Sequence, residues 1–412
     1  MQRSLHSQCH RNLYPYTLYL LRSDRRSLHL IVLLLLVVIV PALLSSPPPP
    51  TPLSKPFKAL PRLYGGRCAP PSSAEGCWVT SYSELGSVEA SFYWGTLLAG
   101  VEGACGCRVE LRQRAAFVGD LQAGTIGCAA ILQAVKEVSE KEEEAMRAHA
   151  ATTRVRVVVV HMSDEREDFS VSAYGLPRAV FRNYAATRDD RVADLAYLAA
   201  GGGGRGKGGG GPLWLPLGYG EAFLPGLAPA LSHPTRARPL AWSWSGSTTG
   251  KPQRIAFLEG VRRYEQVDLL AVGALHEFAG FYDTRAALRP AEYSGWLYLS
   301  RTAPCPDGGS AEQFRVWEAL AAGAVPIVSA EHPHLQYLGA LGFQVLLVQR
   351  WAEEAGALLH AAAFNSTFVA ELERMQAGNT RALKRTLQAA QLRFAAEVCG
   401  AALGLVTDPA SE

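Results

Sequence analysis

One apolar run near the start of the sequence constrains the chain more than any other feature. Leu, Ile, Val and Ala make up almost all of residues 28–44, with His29 and Pro41 as the interruptions. At about 1.5 Å per residue, a helix of this length spans roughly 25 Å, which fits a thin bilayer. The run therefore predicts a single transmembrane segment over residues 28–44.

The charges on either side of this run predict its orientation. Arg22, Arg25 and Arg26 precede it, and the first basic residue after it is Lys55. The positive-inside rule then makes residues 1–27 a cytosolic tail and places the rest of the chain in the lumen. The alternative is a cleaved signal peptide, which would have an unusually long basic region and no cleavage site of small residues after the run.

The composition divides the lumenal part into a stem and two folded units. Residues 45–62 are rich in proline, which favours an extended stem. The remaining length predicts two domains, over residues 63–237 and 238–412. Residues 201–211 contain nine glycines with Arg205 and Lys207. Because no predicted strand or helix flanks them, they indicate a flexible insert and not a phosphate loop.

Charge and cysteine usage exclude two classes of site. The formal net charge is +3, and the basic residues are scattered among acids, so there is no footprint for nucleic acid. All eight cysteines except Cys9 are lumenal under this topology, where one or more disulfides are expected. The spacing of Cys105 and Cys107 matches neither a redox motif nor a zinc site.

The hydrophobic pattern predicts alternating strands and helices in both units. Residues 154–161 read R-V-R-V-V-V-V-H, which is typical of a strand buried in a parallel sheet. A helix is predicted over 129–149, with the acidic residues 142–144 on a solvated face. Further strands are predicted at 178–181, 213–215, 240–244, 267–272, 324–329 and 343–348, and further helices at 255–264 and 379–398. We expect two Rossmann-like domains facing a cleft, with the last helix crossing back to the first domain.

The most informative segment is residues 305–328, which read C-P-D-G-G-S-A-E-Q-F-R-V-W-E-A-L-A-A-G-A-V-P-I-V. Ser310 and Gln313 predict a capping box at the start of a helix, which Gly323 ends. On that helix, Arg315 and Glu318 share one face. This arrangement suits a nucleotide diphosphate sugar, with Glu318 accepting from ribose hydroxyls and Arg315 near the diphosphate. The alternative is an exposed Arg–Glu pair on a surface helix.

A second loop, W-S-W-S-G-S-T-T-G-K-P-Q-R at residues 242–254, opens the C-terminal unit. Gly246 allows a close approach of backbone to ligand, Ser247 and Thr248 can donate to a phosphate, and Arg254 supplies positive charge. A kinase-type phosphate loop does not fit. The G-x-x-x-G-K at residues 246–251 is one residue shorter than that motif, and Pro252 stands where the motif requires Ser or Thr.

These segments together resemble the exostosin-type glycosyltransferases, in particular the group with ribitol-xylosyltransferase-like and algal members. The resemblance covers about residues 154–348 and is most specific in C-P-D-G and in F-R-V-W-E-A-L-A-A-G-A-V-P-I-V. It also includes H-M-S-D-E, F-R-N-Y, L-P-L-G-Y and W-S-W-S-G-S in that order along the chain. It implies a GT-B fold, a donor held mainly by the C-terminal domain, and inversion at the anomeric carbon. It also implies no metal bound by a D-x-D motif, and the sequence contains no D-x-D triplet.

Candidates for the acceptor side follow the predicted strands of the first unit. Asp164 and Glu165 follow residues 154–161 after two intervening residues, at the edge of a parallel sheet where ligands usually bind. Either carboxylate can serve as the base that an inverting transferase needs. Alternatively, Asp164 caps the next turn. Arg182 can stabilise the leaving diphosphate or orient Asp164, or it forms a structural ion pair.

The sequence thus predicts an inverting glycosyltransferase that moves a sugar from a nucleotide-sugar donor to a glycan or glycoprotein acceptor. We expect it in the Golgi membrane, or alternatively the ER membrane, without a cofactor or metal. The alternatives are a fucosyltransferase-like GT-B enzyme and a catalytically silent, membrane-anchored glycan-binding protein. Asn365 begins the sequon N-S-T and is the predicted glycosylation site.

Overall fold

The computed structural model describes residues 78–84, 92–105, 107–135, 138–152, 156–162, 179–183, 213–225, 233–264, 268–278, 287–308, 313–331 and 335–402. All of them fall within one compact unit of the chain. The predicted tail, transmembrane segment, stem and glycine-rich insert lie outside these residues, as do Asp164 and Glu165. Within the described ranges, no helix is both long enough and apolar enough to span a membrane.

The first half of the chain builds a six-stranded parallel sheet in the order β2-β1-β3-β4-β5-β6. Strand β4 confirms the strand predicted from the valine run, because Val157–Val160 are at most 6% exposed. Such a run suits a strand that is covered on both faces. The six strands are β1 Trp78–Ser83, β2 Arg108–Gln113, β3 Ala129–Val135, β4 Arg156–Met162, β5 Ala179–Arg182 and β6 Leu213–Trp214.

The helix predicted over residues 129–149 is wrong in its first part. Ala129–Val135 forms β3, an interior strand of the sheet, and the helix α3 comprises only Glu140–Thr152. Ala and Gln favour helices as isolated residues. Here burial on both faces decides, since Ala130, Ile131 and Leu132 are fully buried between neighbouring strands.

The sequence predicted that the acidic residues of α3 lie on a solvated face, but one of them is buried. Glu142 is 6% exposed and accepts two hydrogen bonds of 2.8 Å from the guanidinium of Arg114. Its Oε2 also accepts from the amide of Ser139 at 2.8 Å, and its own amide donates to Ser139 Oγ at 3.4 Å. This reciprocal pair is a capping box that starts the helix.

The second half builds a five-stranded parallel sheet in the order β11-β10-β9-β7-β8. The predicted second α/β unit with a parallel sheet is confirmed. The strand predicted at residues 267–272 is wrong, because Leu269–Ala271 forms a short 3₁₀ helix capped by Asp268, and the strand follows it. The strands are β7 Leu240–Ser247, β8 Gly273–Phe278, β9 Ser300–Pro304, β10 Val325–Ser329 and β11 Leu346–Val348.

Helices cover both sheets, and the last one connects them. They are α1 Ala99–Cys105 (preceded by a π-helix, Tyr93–Leu98), α2 Phe117–Ala123, α3 Glu140–Thr152, α4 Pro252–Arg262, α5 Pro290–Leu299, α6 Phe314–Ala322, α7 Leu335–Ala340, α8 Trp351–Phe364 and α9 Ser366–Ala402. As predicted, α9 crosses back to the first sheet. Its Phe394 packs against Phe181 of β5 at 5.0 Å between ring centroids, and its Gln391 donates to the carbonyl of Thr96 at 2.8 Å.

One hydrophobic core contains residues of both halves. Trp214 of β6 lies 6.0 Å from Trp317 of α6 between ring centroids, and 5.4 Å from Tyr337 of α7. These contacts bring the ends of both sheets close to α6. Cys107, Cys128 and Cys399 are disulfide-bonded, whereas Cys305 is a free and fully buried thiol.

Candidate functional site

The structure brings four of the predicted donor-site residues together at the carboxyl end of β7. Gly246 and Ser247 end this strand, Arg254 lies on the first turn of α4, and Arg315 lies on the first turn of α6. The carboxyl ends of parallel strands are where open α/β sheets bind ligands. The four residues therefore lie where a ligand would be expected to bind.

Arg315 is held by the protein through one end of its guanidinium. Its Nη2 donates a hydrogen bond to the carbonyl of Ser245, and its Cζ lies 5.3 Å from the ring centroid of Trp244. The other donors, Nε and Nη1, are buried without a hydrogen-bond partner. Ser243, Ser245, Tyr293, Trp296 and Arg315 line a crevice beside β7 and α5.

Arg254 repeats this pattern on the neighbouring helix. Its Nη1 donates to the carbonyl of Ser247 at 2.9 Å, whereas its Nε is buried without a partner. Burial lowers the pKa of Arg254 to about 10, and the positive charge of Arg315 contributes in the same direction. Within the described residues, neither arginine forms an ion pair with a carboxylate. Two adjacent cations thus keep unused donors, which is the arrangement that binds an anion.

Two glycines make room for these guanidinium groups. A Cβ atom at position 246 would lie 2.9 Å from the ring of Trp244 and 3.2 Å from Arg315 Nη2. A Cβ atom at position 308 would lie 2.6 Å from Arg254 Nη2. The absence of a side chain at Gly246 thus leaves space for the guanidinium of Arg315, whereas the sequence predicted that it leaves space for a ligand. Gly308 is the glycine of the C-P-D-G segment, and a larger residue there would collide with the guanidinium of Arg254.

Glu318 is buried at 4% exposure, so the interpretation as an exposed Arg–Glu pair is wrong. Its Oε1 accepts a hydrogen bond from the amide of Gly220 at 3.0 Å, and its Oε2 accepts from the hydroxyl of Tyr293. Both oxygens therefore have protein partners. Because an ionised carboxylate can accept about four hydrogen bonds, the predicted contact with a ribose would use the acceptor sites that remain on these oxygens.

Tyr293 connects Glu318 with Arg315. Burial raises the pKa of the Tyr293 hydroxyl well above its usual value, the charge of Glu318 adds to this, and Arg315 opposes it. Burial likewise raises the pKa of Glu318, against the hydrogen bond from Tyr293 and the charge of Arg315. A hydroxyl that donates to Glu318 directs its oxygen lone pairs away from that carboxylate, where they are available to a cation.

Two predicted local features differ in the structure. Gln313 does not occupy the third helical position that the predicted capping box requires, because α6 begins at Phe314 and Gln313 precedes it in an extended conformation, with φ of −133°. Ser310 lies outside the described residues. Thr248, expected to donate to phosphate, donates to Glu277 Oε1 at 2.8 Å instead, while Ser247 Oγ accepts from the amide of Thr249 at 3.3 Å.

On the first sheet, the structure describes one of the three predicted catalytic residues. Arg182 ends β5, is 3% exposed, and is the register partner of the fully buried His161 on β4. Asp164 and Glu165 lie beyond the described end of β4. In the described part of the chain, no group of three or more His, Cys, Asp or Glu side chains is placed to hold a metal ion.

Sequence comparison identifies no relatives: no family model matches the chain, and no curated protein is significantly similar to it. Solved structures do show a general likeness. The glycosyltransferase SnogD from Streptomyces nogalater is 14% identical, with a TM-score of 0.39, over 77% of this chain and 98% of its own. Trehalose 6-phosphate synthase from Burkholderia multivorans is 12% identical, with a TM-score of 0.43, over 75% of this chain and 75% of its own. Anabaena HepE, in complex with UDP and glucose, is 11% identical, with a TM-score of 0.40, over 78% of this chain and 98% of its own. At these levels the likeness concerns the general architecture and assigns neither activity nor ligand.

Proposed function

We propose that the protein is a glycosyltransferase whose donor diphosphate binds between Arg254 and Arg315. The observation that carries this proposal is the pair of adjacent guanidinium groups, which keep buried N–H donors and form no described ion pair. A diphosphate supplies the charge and the acceptor oxygens that these groups lack. The amides at the start of α6 and the carboxyl edge of the second sheet favour the same ligand.

The reaction proposed is a direct displacement with inversion. The acceptor hydroxyl attacks the anomeric carbon of the donor, the bond from that carbon to the diphosphate oxygen breaks, and a base takes the hydroxyl proton. Asp164 or Glu165 is the proposed base, and Arg182 is proposed to assist the leaving group or to orient Asp164. Arg254 and Arg315 stabilise the charge that develops on the diphosphate, in place of a metal bound by a D-x-D motif.

The resemblance to exostosin-type transferases supports the finer assignment, with a glycan or glycoprotein as acceptor. The apolar run at residues 28–44, with its arginine-rich cytosolic side, supports a type II protein of the Golgi membrane. The disulfide bonds of Cys107, Cys128 and Cys399 fit an oxidising lumen.

Slow hydrolysis of the donor tests the enzymatic part of this proposal. The purified lumenal region is incubated with a panel of nucleotide sugars, and the released nucleotide diphosphate is quantified. We expect hydrolysis of one donor, and binding of its nucleotide diphosphate by calorimetry. Binding without any transfer or hydrolysis would favour the silent glycan-binding alternative, and no binding at all would contradict the donor site.

Substitution of the arginines tests the site itself. Arg254→Gln and Arg315→Gln each remove charge-assisted hydrogen bonds worth roughly 1.5–3 kcal/mol, so nucleotide diphosphate affinity is expected to fall at least about tenfold. Arg263→Gln is the matched control, because Arg263 lies just beyond α4, is 72% exposed and pairs with Glu259. If Arg254→Gln and Arg315→Gln bind the nucleotide diphosphate as tightly as Arg263→Gln and the wild type do, the diphosphate binds elsewhere.

A further inference from the structure

The sequon at Asn365 lies where two helices meet. Asn365 separates α8 from α9, and it is exposed together with Ser366 and Thr367. It is the one N-x-Ser/Thr sequence in the 412-residue chain. The sequon also lies on the second half of the chain, within the helices that follow the last strand, so it is separate in sequence from the segments of the proposed donor site.

The hydrogen bonds of Asn365 leave its amide nitrogen unused. Its Oδ1 accepts from the amide of Phe368 at 3.0 Å and so caps the first turn of α9. No described residue forms a hydrogen bond with Nδ2. N-glycosylation replaces one hydrogen of Nδ2 and leaves Oδ1 in place, so a glycan and the helix cap are compatible at this residue.

Three aromatic rings lie in a row next to this asparagine. Phe364 directly precedes Asn365 and is 53% exposed. Its ring lies 5.1 Å from that of His360, which lies 5.6 Å from that of Tyr264, as measured between centroids. We call Phe364, His360 and Tyr264 the aromatic row. The apolar faces of sugar rings pack well on such surfaces. Covering an exposed Phe removes apolar surface from water, which stabilises the folded protein.

We propose that Asn365 carries an N-linked glycan whose first sugars pack on the aromatic row. The asparagine nitrogen attacks the anomeric carbon of a lipid-linked oligosaccharide, the bond from that carbon to the lipid diphosphate breaks, and the nitrogen loses a proton. The proposal rests on the lumenal placement given under the proposed function. The glycan covers Phe364 and holds the junction of α8 and α9.

Glycosylation is tested on the full chain expressed in animal cells. We expect one mobility shift that an endoglycosidase removes and that Thr367→Ala abolishes. Ala123→Asn serves as the control, because Ala123 is exposed and this single change creates the sequon N-G-T at the end of α2. If Ala123→Asn adds a glycan and Asn365 carries none, the glycosylation proposal is wrong while the lumenal placement stands. If neither site is modified, both fail.

The packing on the aromatic row is tested by melting temperature. An amidase that releases the whole glycan converts Asn365 to an aspartate, which retains a capping oxygen. We expect deglycosylation to lower the melting temperature by about 2 °C or more in the wild type, and clearly less in Phe364→Ala. Leu270→Ala is the matched control, since Leu270 is 48% exposed elsewhere on the surface. An equal decrease in all three proteins would show that the glycan does not contact Phe364.

Discussion

The hydroxyl of Tyr293 donates a hydrogen bond to the buried Glu318 and interacts with the guanidinium of Arg315, so that it connects α5 with α6. Glu318 accepts a further hydrogen bond from the amide of Gly220, in the segment after β6. The carboxylate therefore fixes Tyr293, and Tyr293 in turn limits the positions open to Arg315. We therefore expect Tyr293 to help orient the unused N–H groups of Arg315, together with the Ser245 carbonyl and the Trp244 ring that contact its guanidinium.

The first prediction concerns Tyr293→Phe, which removes the hydroxyl between Glu318 and Arg315. Because Glu318 loses a buried hydrogen bond, we expect the free energy of unfolding to fall by about 1–3 kcal/mol. We also expect weaker binding of the nucleotide diphosphate, because Arg315 is less well oriented. Chemical denaturation and calorimetry measure the two effects.

Tyr298→Phe is the matched control for Tyr293→Phe. Tyr298 is a buried tyrosine on the same helix, and its hydroxyl donates to the carbonyl of Pro225 at 3.2 Å. Its loss is expected to lower stability without changing affinity. If both variants bind the nucleotide diphosphate equally well, Tyr293 does not position Arg315.

The sequence predicted β7, β10, β11 and the residues of α6, because periodicity and glycine stops are local signals. It did not predict β8 or β9 at Gly273–Phe278 and Ser300–Pro304. It proposed Arg254 from the loop at residues 242–254, and Arg315 from its helix position and the resemblance to a family motif. It did not identify Tyr293, which lies 25 residues before Glu318 and becomes its partner only when α5 packs on α6. No local pattern marks such a contact.

Similar limits explain the errors in secondary structure. Ala129–Val135 has the composition of a helix, and its position inside the first sheet overrides that preference. Asn379 was predicted to begin the last helix, which in fact begins at Ser366. Asn379 is 1% exposed and exchanges hydrogen bonds of 2.7 and 2.8 Å with the backbone of Gln344. Its polarity is satisfied by a tertiary contact that the sequence does not reveal.

The second prediction is a pH dependence at Glu142. Burial alone would raise the pKa of this carboxyl, but the hydrogen bonds from Arg114 and Ser139 outweigh it and hold the pKa below its ordinary value of 4.5. A lowered pKa in the folded state stabilises the protein above the unfolded pKa, and this stabilisation is lost as the pH falls through the folded pKa. Glu142→Gln should cost about 3 kcal/mol at pH 7, with a difference from wild type that shrinks below about pH 4.5.

Melting curves between pH 3 and pH 7 test this prediction. Glu144→Gln is the control, since Glu144 is an exposed residue of the same helix and should have little effect at any pH. A constant difference between Glu142→Gln and wild type across this range would show that the pair with Arg114 does not titrate as described.

The third prediction is that donor hydrolysis survives chelation. Arg254 and Arg315 already supply positive charge where the leaving diphosphate is proposed to lie, so the reaction needs no bound cation there. Activity is measured with the preferred nucleotide sugar before and after EDTA. Complete loss of activity that manganese restores would contradict this account of the leaving group.

The last prediction concerns Glu318→Gln, which keeps the size of the side chain and removes its charge. The Oε1 of the new glutamine can still accept from the amide of Gly220, but its NH₂ group then faces the Tyr293 hydroxyl. That hydroxyl no longer donates to residue 318, so its oxygen lone pairs are no longer directed toward Arg315. Affinity for the nucleotide diphosphate is expected to fall at least about tenfold. Glu259→Gln is the control, because Glu259 is 43% exposed and, among the residues that the structure describes, its ion pair is with Arg263. Unchanged affinity and unchanged melting in Glu318→Gln would remove Glu318 from the site.

Combining Glu318→Gln with Tyr293→Phe separates the two roles that Glu318 can have. If Glu318 acts through Tyr293, the double variant should bind little worse than either single variant, because both changes break the same connection to Arg315. If Glu318 instead contacts the donor ribose, as the sequence analysis expected, Tyr293→Phe alone should weaken binding only slightly and the effects should add. Calorimetry with a complete nucleotide diphosphate and with inorganic pyrophosphate sharpens the result. A ribose contact weakens only the former, whereas loss of Arg315 orientation weakens both.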